Sequence, residues 1–182
     1  MATSATETSR PGVSVGSTSE FSLFFRIKPG HATALREALR TLQDTPGYQA
    51  GDYNMAVATI HEARFVPFDD DTQLLFATSF DGSWDAYMED FLTSGPTLAL
   101  FDALFKHVDG YEGLPDLAAL KAFILGAQRT AAAYARNYPG TVKEIRKGLR
   151  VNAAFQRVLD DPAAAEALQH PALKPLLDEA SD

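Results

Sequence analysis

IHEARFVPFDDDTQLLFATSFDGSWDAYMEDF, residues 60–91, changes its periodicity twice, and those changes decide the fold. With the residues just before it, AVATIHEARFVPF (56–68) alternates as a strand. Val57, Thr59, His61, Ala63 and Phe65 share one side; Ile60, Glu62, Arg64 and Val66 share the other. Asp69, Asp70 and Asp71 form a polar turn, and TQLLFATSF (72–80) reads as the next strand. So short a connection makes the two an antiparallel hairpin. Asp81-Gly82-Ser83 then breaks the alternation, and Ser83 is predicted to N-cap a helix with Asp85 in its first turn. Trp84, Tyr87, Met88 and Phe91 recur at helical spacing as one packing stripe. So many rings in one run imply either ordinary core or a pocket for a flat, apolar ligand.

Upstream, FSLFFRIK (21–28) is a further strand, with Phe21, Leu23, Phe25 and Ile27 on one face and Ser22, Phe24, Arg26 and Lys28 on the other. Pro29-Gly30 stops it, and HATALREALRTLQ (31–43) places Leu35, Ala38, Leu39 and Leu42 at helical spacing. Residues 44–54 form a Gly/Pro/Asp loop. Downstream, helices are expected after Ser94-Gly95-Pro96 and from about Asp116 to Gly126. RTAAAYARNY (129–138) is read as a fourth strand. Thr141 with Glu144 makes a capping box for a long helix, and Asp161-Pro162 opens a short terminal one.

The expected class is α+β, with a ferredoxin-like β-α-β-β-α-β antiparallel sheet, helices inserted over about 96–126 and more at the carboxy terminus. The domain plan is a disordered leader over 1–19, the α+β domain over 20–160 and a helical tail over 161–182. Phe and Leu occur on both faces of the first and third strands. The face away from the helices therefore needs cover, most simply a second copy in a dimeric α/β-barrel that encloses a cavity.

Composition excludes several classes. The chain has 182 residues, 46% hydrophobic and 22% charged, which suits one folded domain with extensions. A net charge of -8 argues against nucleic acid as a partner. No apolar run is long enough to span a bilayer and the amino terminus lacks a signal-peptide core, so a cytoplasmic protein without a membrane partner is expected. With no cysteine there is no disulfide, thiolate nucleophile or Cys-ligated metal. No dinucleotide fingerprint, Walker loop, His-Glu-x-x-His or Gly-x-Ser-x-Gly motif is present, and the Asp triplet lacks EF-hand spacing.

These residues resemble the dimeric α/β-barrel superfamily, and more closely a bacterial family of unsettled activity. The resemblance rests on His61, Ala63, Arg64 and Phe65, then on Phe80, Asp81, Gly82, Ser83, Trp84, Tyr87, Asp90 and Phe91, and finally on His107, Gly110 and Tyr111. It spans about residues 20–160. The wider superfamily includes haem peroxidases, chlorite-degrading enzymes, haem-degrading monooxygenases and cofactor-free quinone-forming monooxygenases, so the resemblance implies the fold and leaves the chemistry open.

Candidate chemistry follows from residue types. His107 is expected in the last turn of helix 97–108, on the face of Leu100, Ala103 and Leu104, either as an axial haem ligand or as a C-terminal cap. His61 is either a pocket acid/base or a core histidine with a neighbouring hydrogen-bond partner. Arg64, on the face opposite His61, pairs with Asp81 or Asp90, or clamps a substrate carboxylate. Trp84, Tyr87 and Phe91 either frame a planar cofactor or are core. Lys143, Arg146, Lys147 and Arg150 make one helix face basic, suited to haem propionates, another anion or an acidic partner, or simply solvated. The expectation is an oxidoreductase, haem-dependent in one version, acting on a small aromatic or apolar substrate. The alternatives are a cofactor-free monooxygenase or cyclase, and a non-catalytic homodimer that binds a ligand or assembles with a partner.

Overall fold

Alternation in the sequence becomes an antiparallel sheet in the computed structural model, which describes residues 13–49, 51–52 and 55–181. Its strands are β1 (Val13–Val15), β2 (Thr18–Arg26), β3 (Ile60–Phe68), β4 (Gln73–Asp81) and β5 (Gln128–Arg129). They are ordered β1-β2-β4-β3, and β5 also pairs with β2. All the pairings are antiparallel, and the chain is α+β.

One face of the sheet is apolar because alternate residues point the same way. Phe21, Leu23 and Phe25 of β2 and Leu74, Phe76 and Phe80 of β4 are all buried there. Four helices supply the rest of that core: α1 (Ala32–Gln43), α2 (Trp84–Thr93), α3 (Gly95–Phe105) and α4 (Leu117–Ala127). Rings interlock across the layers. Phe76 meets Phe101 edge-on at 5.5 Å, Phe25 stacks on Phe123 at 5.1 Å, and Tyr87 stacks on Phe80 at 3.9 Å. Burial of each such ring contributes about 1.5–3 kcal/mol. Helix α2 starts where expected, with the Ser83 side chain accepting a hydrogen bond from the Ala86 amide at 3.3 Å and Asp85 in the first turn.

The outer face is uneven. Thr18, Glu20, Ala77 and Ser79 are buried at one end, where the irregular stretch 130–141 brings Arg136 against Thr18. At the other end Phe24, Val66 and Phe68 are 41%, 41% and 38% exposed.

The chain divides into two compact units, 1–142 and 143–182. The second contains nearly all of α5 (Val142–Leu159), α6 (Ala165–Leu168) and α7 (Lys174–Ala180), and no residue of these helices is buried. No helix among the described residues is long and apolar enough to cross a membrane.

Several sequence expectations are corrected. The leader expected over 1–19 is ordered from Val13, because Gly16 (φ 63) turns β1 back onto β2; residues 1–12 lie outside the described residues. The fourth strand expected over 129–138 shrinks to Gln128–Arg129, since the alanines beyond it have little side chain to pack and Pro139 lacks a donor. Helix α3 ends at Phe105, so His107 is not on a helix. It lies in the turn that follows α3, next to Val108, which forms an isolated antiparallel bridge with Ile27 just beyond β2. The long helix α5 groups with the tail, which moves the expected boundary from about 160 to 142.

Candidate functional site

The site begins with one extra residue. The β3–β4 register runs Ile60↔Phe80 and then Glu62↔Ser79, which leaves His61 in a bulge. A bulge re-aims side chains. Ile60 and Ala63 both face the core, so His61 and Glu62 both face outward. His61 and Arg64 therefore share the outer face, contrary to the simple alternation of the sequence. Arg64 is exposed, and among the described residues no hydrogen bond or ion pair joins it to Asp81 or Asp90.

Asp81 pairs with His61 instead, at 2.7 Å from its Nε2, and the two side chains are only 13% and 4% exposed. An ionised carboxylate only accepts, so Nε2 donates to it, and in the neutral imidazole the lone pair is then on Nδ1. Thr18, the cross-strand partner of Asp81, brings its hydroxyl within 3.3 Å of the same Nε2 and 3.4 Å of Asp81 Oδ1. The other carboxylate oxygen accepts from the Val142 amide at 2.7 Å. Both oxygens of Asp81 are thus engaged.

Arg136 closes the cluster from the irregular stretch. Its Nη1 donates to Thr18 Oγ1, and its Nη2 donates to the Gly140 carbonyl at 2.7 Å. Nη2 also lies 3.1 Å from His61 Nε2 and 3.4 Å from Nδ1. In-plane bonding directions at the two ring nitrogens diverge, so an atom nearly equidistant from both sits over the ring. The in-plane lone pair of Nδ1 is left uncommitted by that contact. The guanidinium carbon also stands 4.8 Å from the Tyr138 ring centroid, a cation–π contact. Tyr138 is 50% exposed and its ring is 6.2 Å from that of His61.

This arrangement can move a proton. Nδ1 accepts it, Asp81 holds the ring and stabilises the imidazolium, and Arg136 stabilises negative charge left on a bound molecule.

The other expected site residues of the first unit lie apart from this cluster. Trp84, Tyr87 and Phe91 are buried on the helix side of the sheet. Tyr87 and Phe91 border an internal space of only about 10 Å³. Burial holds the Tyr87 hydroxyl, 3.3 Å from Thr78 Oγ1, far above its ordinary pKa, so it stays protonated. His107 is 8% exposed, and its Nδ1 is 3.1 Å from Nδ1 of His31. Arg146 and Arg150 belong to the second unit, on α5. No group of three or more side chains suited to a metal occurs among the described residues. A porphyrin needs a broad slot beside a free imidazole nitrogen. The packed rings of Trp84, Tyr87 and Phe91 leave no such slot, so these residues do not frame a haem.

Arg136 and Thr18 carry no signal in the sequence, since neither lies in a motif and Arg136 is far from His61 along the chain. Tyr138 lies in no motif either, and Asp81 stands out in the sequence as part of the Asp-Gly-Ser break and as a partner for Arg64. No protein-family model, curated protein or solved structure matches this chain.

Proposed function

We propose that the protein is a cofactor-independent acid/base enzyme of the monooxygenase or cyclase kind, acting on a small aromatic substrate. The observation that carries this reading is the His61–Asp81 pair at 2.7 Å with Arg136 over the imidazole. Proton removal is the step shared by both chemistries. With dioxygen as second substrate, which the substrate itself reduces, a ring CH2 becomes C=O and the other oxygen atom leaves as water, which is the oxidoreductase version; without it the anion adds to a carbonyl of its own skeleton, and the alkoxide formed takes back the proton. Haem-dependent chemistry has less support, because Trp84, Tyr87 and Phe91 are packed into the core with no slot for a porphyrin beside them.

The fold of this reading is ferredoxin-like: the path β5-β2-β4-β3 is taken as the four-strand order, with β5 as a rudimentary fourth strand. The dimeric α/β-barrel is its assembled form, supported by the exposed Phe24, Val66 and Phe68. A second copy over that surface would close a cavity onto the His61 end.

The test is deuterium incorporation from solvent into a panel of enolisable aryl ketones, followed by NMR. The wild-type chain should accelerate exchange on at least one, and His61→Gln should lose about 10²–10⁴-fold of that acceleration. Equal exchange by both proteins refutes the reading.

A further inference from the structure

We propose that Arg136 and Tyr138 recognise a singly charged anionic group on a planar substrate, a carboxylate, phenolate or enolate. This rests on the acid/base reading of His61. A half-buried guanidinium is normally held by a carboxylate. Arg36 shows the usual arrangement, donating to both oxygens of Asp71 through Nε and Nη2. Arg136 differs: among the described residues its partners are a hydroxyl, a peptide carbonyl and an imidazole, with no carboxylate. Asp81, close by, is already engaged by His61, Thr18 and the Val142 amide. The cation therefore keeps its capacity for a bidentate anion.

Position fits the same ligand. Arg136 belongs to an irregular stretch, so its backbone is not tied into a helix or sheet. The half-exposed Tyr138 ring, 4.8 Å from the guanidinium, offers a flat face on which an aromatic body can stack. A carboxylate that takes over the donors now given to Thr18 and Gly140 draws Arg136 off the imidazole. That brings the substrate beside Nδ1 of His61. Charge sets an upper limit. Asp81 lies on the same face of the sheet, and Arg136 can compensate one ligand charge, so a second negative charge on the ligand would be repelled without a second cation to meet it.

Sodium benzoate titrated into the full chain, with benzamide as the neutral isostere, tests this by calorimetry and by shifts of the Arg and His side-chain NMR signals. Benzoate should bind saturably and at least about tenfold more tightly than benzamide, the step expected of a charge-assisted contact. Arg136→Gln should erase that preference. Tyr138→Leu leaves the Arg136 hydrogen bonds in place and should weaken both ligands while the preference survives, which separates recognition from collapse of the stretch. Absence of saturable benzoate binding, equal affinity for the two ligands, or an unchanged preference in Arg136→Gln would overturn the proposal. Intact benzoate recognition in a protein without proton-exchange activity would refute the acid/base reading alone.

Discussion

A single inserted residue decides what His61 can do. With an unbroken register it would sit opposite Phe80 on the apolar face, where alternation from Val57 to Phe65 places it. The bulge carries it to Asp81 and Thr18 instead. The sequence marks His61 as a candidate because an imidazole on a strand face suits a pocket acid/base, yet a bulge leaves no composition signature here, and the long-range partner Arg136 leaves none at all. His107 shows the same limit: its residue type was legible, its backbone was not. Burial first, then Lys106, His31 and Lys28, hold its pKa below the ordinary imidazole value. The sign follows from linkage. The unfolded chain takes up this proton near pH 6.5, about the ordinary imidazole value, while the folded chain resists until lower pH, so stability falls as pH drops through that window. The urea midpoint should therefore fall between about pH 7.5 and about pH 5.5, and His107→Gln should reduce that fall. An identical fall in the variant would show that His107 is not responsible.

Elements were legible wherever two signals agreed. β2 and β4 set bulky side chains on one face, Phe21, Leu23 and Phe25 with Leu74, Phe76 and Phe80, and α2 combines Ser83, Asp85 and a ring every three or four residues. Their roles differ in energetic weight. Ser83→Ala removes the acceptor for the Ala86 amide and should cost about 1 kcal/mol in chemical denaturation. Phe76→Ala empties a position 1% exposed that touches Phe21, Phe65 and Phe101, and should cost about 3–5 kcal/mol. A cost for Phe76→Ala no greater than for Ser83→Ala would mean that the sheet–helix core is not packed as described. Elements failed to show where one signal was missing. The stretch 130–141 offers alanines and a proline rather than alternating bulk, so its tertiary role as the carrier of Arg136 overrides any local preference. The β1 hairpin was hidden in a Ser/Thr/Gly-rich leader because three residues are too short to establish a period.

At the scale of the molecule, the two-faced apolar character of the strands was readable, and it accounts for both the core and the remaining surface. The inner face is consumed by α1 to α4. The outer face is divided between the buried polar end at His61 and a patch where Phe24 and Phe68 meet edge-on at 6.4 Å beside Val66, with Arg26 and Arg64 at its margin. A contiguous apolar patch rimmed by charge is the usual form of an association surface. Self-association through one sheet face is isologous, so each substitution acts twice across the two-fold axis. Light scattering should give twice the mass of one chain, and Phe24→Ser with Phe68→Lys should give the single-chain mass with an unchanged far-UV spectrum. Because those side chains are already well exposed, the double substitution should lower the stability of the separated chain by less than Phe76→Ala does. A wild-type chain that stays single at all concentrations would leave the Phe24–Phe68 patch without the partner proposed for it, and the His61 end would then be covered by residues 130–141 alone.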